Sequence, residues 1–242
     1  TSLQMILAVS LIIGFGIKIG LFGFHNWLPK AHPVAAIPAS AMLSGFMVNA
    51  GIIGLLRFFP FDIGYNDIGF ILIVLGISGT FYGALKGLFE VNPKAVLAYS
   101  TISQMGIVSS CIGAMIVIPS IQPAMATVII FYCLHHGLAK SCLFLSVGLT
   151  PHLTINNWMK PLTWAVIILP ALSLIGLPFL SGYFAKGEIK LLLSAYPAIK
   201  YVLLLSAVCT ALLLLRFGHL MLNKAAEVKD NSVTSSPEPM LL

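Results

Sequence analysis

The chain has 242 residues, of which 59% are hydrophobic and 8% charged, with a formal net charge of +6. A soluble domain carries about 25% charged residues, so this composition excludes a soluble enzyme, a disordered chain and a nucleic-acid-binding protein. What remains is a polytopic helical membrane protein, since a spanning helix needs about 20 mostly apolar residues.

Apolar windows of that length recur at residues 2–24, 39–59, 68–89, 95–118, 124–149, 162–185 and 201–222. They are apolar all round and too long for barrel strands, which alternate with period two. The expected fold class is an all-α polytopic membrane protein with about seven transmembrane helices. Two windows carry breakers. The first runs into HNWLPKAHPVAAIP, where Pro29, Pro33 and Pro38 each disfavour helix just before them. The sixth contains IGLPFLSGYF, with Gly176, Pro178 and Gly182. Helices broken at membrane depth are tolerated only inside protein or beside a wet cavity, and transporters place ion sites at such breaks.

Residues 225–242 are polar and Ser/Pro-rich and read as a disordered tail behind a membrane domain at 1–224. No secretory signal precedes the first window. The chain starts at Thr1, almost directly in apolar sequence, as part of a longer protein would.

If every window spans, Lys30, Lys86, Lys94, Lys160, Lys224 and Lys229 share one side, and Arg57, Lys190 and Lys200 the other. The lysine-rich side is then expected in the cytoplasm. Cys111, Cys133, Cys142 and Cys209 lie in apolar sequence with no CxxC spacing. They are expected to be buried small hydrophobes, not metal or redox centres. Trp27, Trp158 and Trp164 fall near window ends, as an aromatic belt requires.

Three lysines stand in or beside apolar windows: Lys18, Lys140 and Lys186. A lysine at the bilayer centre costs roughly 2.5–3.5 kcal/mol on insertion scales, so it normally faces a bundle interior or an aqueous path. Burial disfavours the charged form of an amine, which lets a buried lysine exchange protons. The plainer alternative is snorkelling to the headgroups; it fits Lys140 least, because Lys140 lies mid-window. His136 is four residues before Lys140 and shares its helix face, so the two can form steps of a proton relay. A histidine bonded to a neighbouring helix is the competing reading. His135 adjoins this pair. His25 and His32 flank the first break, either at its mouth or as satisfied loop histidines. Asp62, Asp67, Glu90 and Glu188 are the acidic residues before the tail. Glu188 either balances Lys186 or ends its segment in headgroup water. Arg216 and Lys224 read as snorkelling side chains, and His219 alone is a poor case for haem ligation.

Five segments carry a resemblance: FGIKIGLFGFHNWLPKAHPVA, SAMLSGFMVNAGIIGLLRF, GALKGLFEVNPKAVLAYSTISQMGI, HHGLAKSCLFLSVG and GLPFLSGYFAKGEI. In this order they are similar to the antiporter-like, proton-translocating subunits of respiratory complex I, Mrp-type sodium/proton antiporters, and membrane-bound hydrogenase or formate hydrogenlyase complexes. They cover nearly all of residues 10–195.

The resemblance implies a fold of about fourteen helices, built from two inverted five-helix units plus flanking helices. This chain corresponds to its C-terminal part, from the broken helix of the first unit through the second unit. By motif match Lys18 is the lysine of the first unit, and its usual membrane glutamate lies in the part not present. Lys140 matches the central lysine of the second unit with His136 beside it. Lys186 matches the terminal lysine in the second broken helix, with Glu188 following as in the SKDE pattern. The implied mechanism is proton hopping along hydrated Lys, His and Glu at mid-membrane.

The departures are specific. Asn49 stands where related subunits often have Lys, in the MLKTG pattern, and Asn carries no proton. Asn92–Pro93 replaces the usual Asp–Ile before KxxLAYS, and residues 150–161 lack the usual MGGL segment. AHPVA and GALKGLFE lean toward hydrogenase-type subunits, and AKGE toward complex I or Mrp subunits. The expected function is proton translocation within a redox-driven membrane complex. Alternatives are an Mrp-like cation/proton antiporter subunit and a degenerate structural subunit. No residue forms a redox, hydrolytic or metal site, so no cofactor is expected in this chain. The expected partners are other membrane subunits, a peripheral redox arm and the lipid bilayer, with no nucleic acid. The expected location is a prokaryotic cytoplasmic membrane.

Overall fold

The computed structural model describes residues 2–61, 64–149 and 160–234. Asp62, residues 150–159 with Trp158, and residues 235–242 lie outside them. No strand occurs among the described residues. The helices are α1 (Ser2–Ile19), α2 (Trp27–Val34), α3 (Ile37–Phe58), α4 (Asn66–Leu88) and α5 (Pro93–Val117). There follow α6 (Gln122–Ser146), α7 (Lys160–Ile175), α8 (Ser181–Leu192) and α9 (Pro197–Thr234). Helix α9 thus runs into the segment whose composition marks a tail.

Among the described residues, six segments are long and apolar enough to cross a membrane: α1, α3, α4, α5, α6 with its flanking turns, and α9. The sixth sequence window is not one span. Its first limb, α7, has 16 residues, about 24 Å at 1.5 Å per residue against a hydrocarbon core of about 30 Å. Its second limb, α8, continues past the window to Leu192. Between them Gly176 takes φ +95° and Phe179 φ +69°.

The first break also differs from expectation. Prolines mark only part of it: Pro29 and Pro33 lie inside α2, and the chain leaves helix at Ala35–Ala36, between Pro33 and Pro38 of the first turn of α3. Pro29 occupies the first helical turn, where a missing N–H removes no intrahelical bond. The chain also turns at residues 20–26, where Gly20 and Gly23 take φ +77° and +94°.

Helix α5 is the central post, buried along nearly its whole length. Small and hydroxyl residues let its neighbours approach closely. A Cβ on Gly106 would lie 2.5 Å from the Gly76 carbonyl of α4. Ser110 Oγ also donates to the Ile73 carbonyl of α4 at 3.3 Å. Helix α6 packs against α5 on one side and against α3, α7 and α8 on others. This places the His-His-Lys segment of α6 among four helices.

Candidate functional site

Each helix break leaves carbonyls without intrahelical donors, and side chains take them up. Trp27 Nε1 donates to Ile17 O at 2.8 Å, closing the end of α1; its indole is thus tied to the break. Lys94 Nζ donates to Ala35 O at 2.6 Å, beyond the last turn of α2. Lys186 Nζ donates to Leu174 O at 2.7 Å and Ile175 O at 3.1 Å, the last carbonyls of α7. A cation at a helix C-terminus also sits favourably in the helix dipole.

Lys140 is fully buried, and its Nζ donates to Leu97 O of α5 at 2.9 Å. Tyr132, His136 and Lys140 stand at four-residue steps on α6, so they share one face. On the antiparallel α5, Gln104 meets Tyr132, as Leu97 meets Lys140. His136 falls between these two contacts. Both its ring nitrogens are buried without a hydrogen-bond partner, as are the hydroxyls of Ser100 and Ser103 on α5.

His135 faces the other way, toward the α7–α8 break. Its Nδ1 lies 2.9 Å from Ser181 Oγ and 3.4 Å from Ser173 Oγ, and these two hydroxyls are 3.0 Å apart. Its Nε2 is unpartnered. Gly182, beside His135 Nε2, is one turn before Lys186 on α8, and His136 is one turn before Lys140 on α6. The adjacent histidines thus face different partners: His136 shares the helix face of Lys140, and His135 meets the break that holds Lys186. On the far side of Lys140 lies His32, fully buried, with its ring stacked on Phe144 at 4.4 Å. Neither of its nitrogens has a partner, and the charges of Lys140 and Lys94 both act on it.

The structure thus brings together Lys186, His135, His136, Lys140 and His32. It does not bring Lys18, His25 or Glu188 to them. Lys18 is exposed near the end of α1. His25 sits in the first break, against Phe22 and Tyr82 at ring distances of 5.4 and 4.8 Å. Glu188 is exposed on α8, in a groove with Phe131, Phe184 and Leu192. Asn49 is buried where the resemblance expects a lysine; its amide donates to Gly45 O at 2.7 Å and Cys133 O at 3.0 Å, binding α3 to α6. The Gly45 carbonyl lies in a π-helical turn at Leu43–Met47. Among the cysteines, Cys111 and Cys133 are buried, but Cys209 is half-buried and Cys142 faces outward, because helical spacing carries it off the core side of α6. No group of metal-ligating residues occurs among the described residues.

Sequence reasoning missed two features. Gln104 Nε2 donates to Thr210 Oγ1 of α9 at 2.8 Å while Tyr132 OH donates to Gln104 Oε1, so one amide ties three helices. A lone Gln in an apolar helix, and a Tyr at the same helical step as His136 and Lys140, were the available signals. The other is Lys94, read only as a loop charge.

The family model described as "NADH:quinone oxidoreductase/Mrp antiporter, TM" matches residues 1–214. NADH-ubiquinone oxidoreductase chain 5 of Hypocrea jecorina is 34% identical over 202 residues, covering 79% of this chain and 28% of that protein. Hydrogenase-4 component B of Escherichia coli is 31% identical over 191 residues, covering 72% of this chain and 28% of its own length. A chain of the Mrp complex from Dietzia sp. superposes with a TM-score of 0.73 at 26% identity, over 85% of this chain and 40% of its own. This chain therefore spans under a third of the length of these two curated relatives. The chain is a multi-pass membrane protein of the NADH:quinone oxidoreductase/Mrp antiporter transmembrane family.

Proposed function

We propose that this chain provides a proton-translocating unit within a multisubunit, redox-driven membrane complex of the complex I or hydrogenase type. The observation that carries this reading is the buried line Lys186–His135–His136–Lys140–His32, in which every histidine ring nitrogen except Nδ1 of His135 lacks a hydrogen-bond partner. An unsatisfied buried polar atom costs about 1–3 kcal/mol, and native structures keep few of them. Several in one row are a poor structural solution but suit groups that bind water and pass protons. A proton taken by one group repels charge on the next, so transfer along the line is driven by close like charges.

The relatives named above are parts of larger assemblies, which supports a partner-dependent role. Lys18 on the exposed face of α1 fits a proton site completed by protein outside this segment, and Glu188 a contact or headgroup position beyond the second break. The lysine-rich ends of α4 and α5 are assigned to the cytoplasm of a prokaryotic membrane.

The likeness to a chain of an Mrp complex favours one second reading, a cation/proton antiporter subunit driven by ion gradients. The deciding experiment isolates the native assembly in mild detergent, identifies its subunits by mass spectrometry and follows proton uptake in sealed vesicles. Uptake that requires an electron donor, with redox subunits present, supports the redox-driven reading. Sodium-dependent flux without a donor, with only small antiporter subunits present, replaces it with the second. A solitary chain with no flux overturns both.

A further inference from the structure

Beyond the relay, one lysine at the edge of the bundle is placed to control it. Lys94 follows Pro93 in the first turn of α5, where Asn92 Oδ1 accepts from its backbone N–H at 2.9 Å. This cap fixes the start of the helix. Its half-buried side chain reaches the free Ala35 carbonyl at the end of α2. Three residues further along α5 is Leu97, whose carbonyl holds the ammonium of Lys140; residues three apart on a helix are neighbours. His32 belongs to α2, the helix whose end Lys94 holds, and both lysine charges act on its ring. Phe144 covers one face of that ring, and its two nitrogens are left without protein partners.

We propose that Lys94 is a gate for proton exchange between the lysine-rich membrane face and buried Lys140, acting through His32. This inference rests on the relay reading. Lys94 is a positioning residue with a fixed charge. A proton leaving the Lys140 ammonium passes to a neutral His32 nitrogen, giving a neutral amine and an imidazolium. The imidazolium then stands between positive Lys94 and the relay, and releases its proton to water at the membrane face. The charge of Lys94 discourages His32 from holding a proton, so the step does not become a trap, and the bond from Lys94 to Ala35 holds α2 at the right height.

The test uses the complete assembly in sealed vesicles, with proton flux measured against pH for Lys94→Arg, Lys94→Gln and Lys94→Met, and Lys140→Met as control. Gln retains a donor for the Ala35 carbonyl but not the charge; Arg retains both. One close charge is worth about one pKa unit, or about tenfold in proton affinity. Lys94→Gln and Lys94→Met are expected to slow flux by about that factor and displace its pH profile, while Lys94→Arg restores both. If Lys94→Gln matches the unmodified protein in rate and pH profile while Lys140→Met is blocked, Lys94 is a structural latch and the gate is overturned. If neither Lys94→Gln nor Lys94→Met assembles, the same conclusion follows. If Lys140→Met also conducts normally, the relay reading itself has failed.

Discussion

Lys186 Nζ donates to Leu174 O at 2.7 Å, so a lysine on one limb of a broken helix satisfies the end of the other. The bond places an amine beside His135 and leaves the chain between the limbs little freedom. Gly176 makes this possible by ending α7 at φ +95°, and a Cβ there would also lie 3.2 Å from Lys186 Cδ. Gly176→Ala is expected to destabilise the assembly by about 1–3 kcal/mol, the usual range for a strained backbone position. Thermal unfolding of the purified assembly checks this; an unchanged transition would mean that the break is not held in this conformation.

Close approach of α4 and α5 yields a paired expectation. Alanine normally stabilises a helix over glycine by about 1 kcal/mol. At Gly106 the added methyl would meet the Gly76 carbonyl at 2.5 Å, whereas at Gly14 nothing lies within 4 Å. Overpacking costs about 1–3 kcal/mol, so Gly106→Ala is expected to lower the unfolding temperature and Gly14→Ala to leave it level or raise it. Similar effects at both sites would contradict the packing described.

The Gln104 amide between Tyr132 and Thr210 is expected to act as one unit with them. Gln104→Leu leaves the buried Tyr132 hydroxyl without its acceptor, at about 1–3 kcal/mol, while Thr210 Oγ1 keeps its bond to Ser206 O. Tyr132→Phe made in that background should then have a smaller effect than it has alone, with a coupling of roughly 0.5–3 kcal/mol. A double-mutant cycle on unfolding of the assembly measures it, and additive effects would show that the three residues are independent.

Asn49 follows the π turn of α3 and donates both to Gly45 O within that turn and to Cys133 O of α6. Asn49→Leu removes both bonds and is expected to weaken the assembly by about 1–3 kcal/mol, read as reduced yield or a lower unfolding temperature. The proposed relay does not include Asn49, so flux per assembled complex is expected to stay near the unmodified level.

Much of the bundle was legible from residue chemistry because membrane spans announce themselves by length. The windows at 68–89, 95–118 and 124–149 fall on α4, α5 and α6 within a few residues. Lys140 and Lys186 stood out because charge is costly in apolar sequence, and both are buried. The breaks were harder. Proline marks a residue that cannot donate, but a helix start tolerates it; the turns came from glycines at positive φ, which composition does not separate from packing glycines such as Gly106. The second break splits its window because Lys186 and Gly176 together complete the end of α7, a tertiary effect. Lys94 escaped notice because a lysine near a window end is ordinarily a solvated charge; only the approach of α2 gives it a carbonyl and a histidine. The outward position of Lys18 depends on what packs beside α1, which no local pattern records.

In the proposed relay, protons cross through Lys140. The direct measurement is proton uptake by sealed vesicles carrying the complete assembly, comparing unmodified protein with Lys140→Met at equal yield and equal driving force. Met fills most of the lysine's volume but carries no proton. The expected result is loss of coupled uptake with the assembly intact. Uptake at the unmodified rate in Lys140→Met would contradict the relay and leave the buried lysine a structural residue bonded to Leu97.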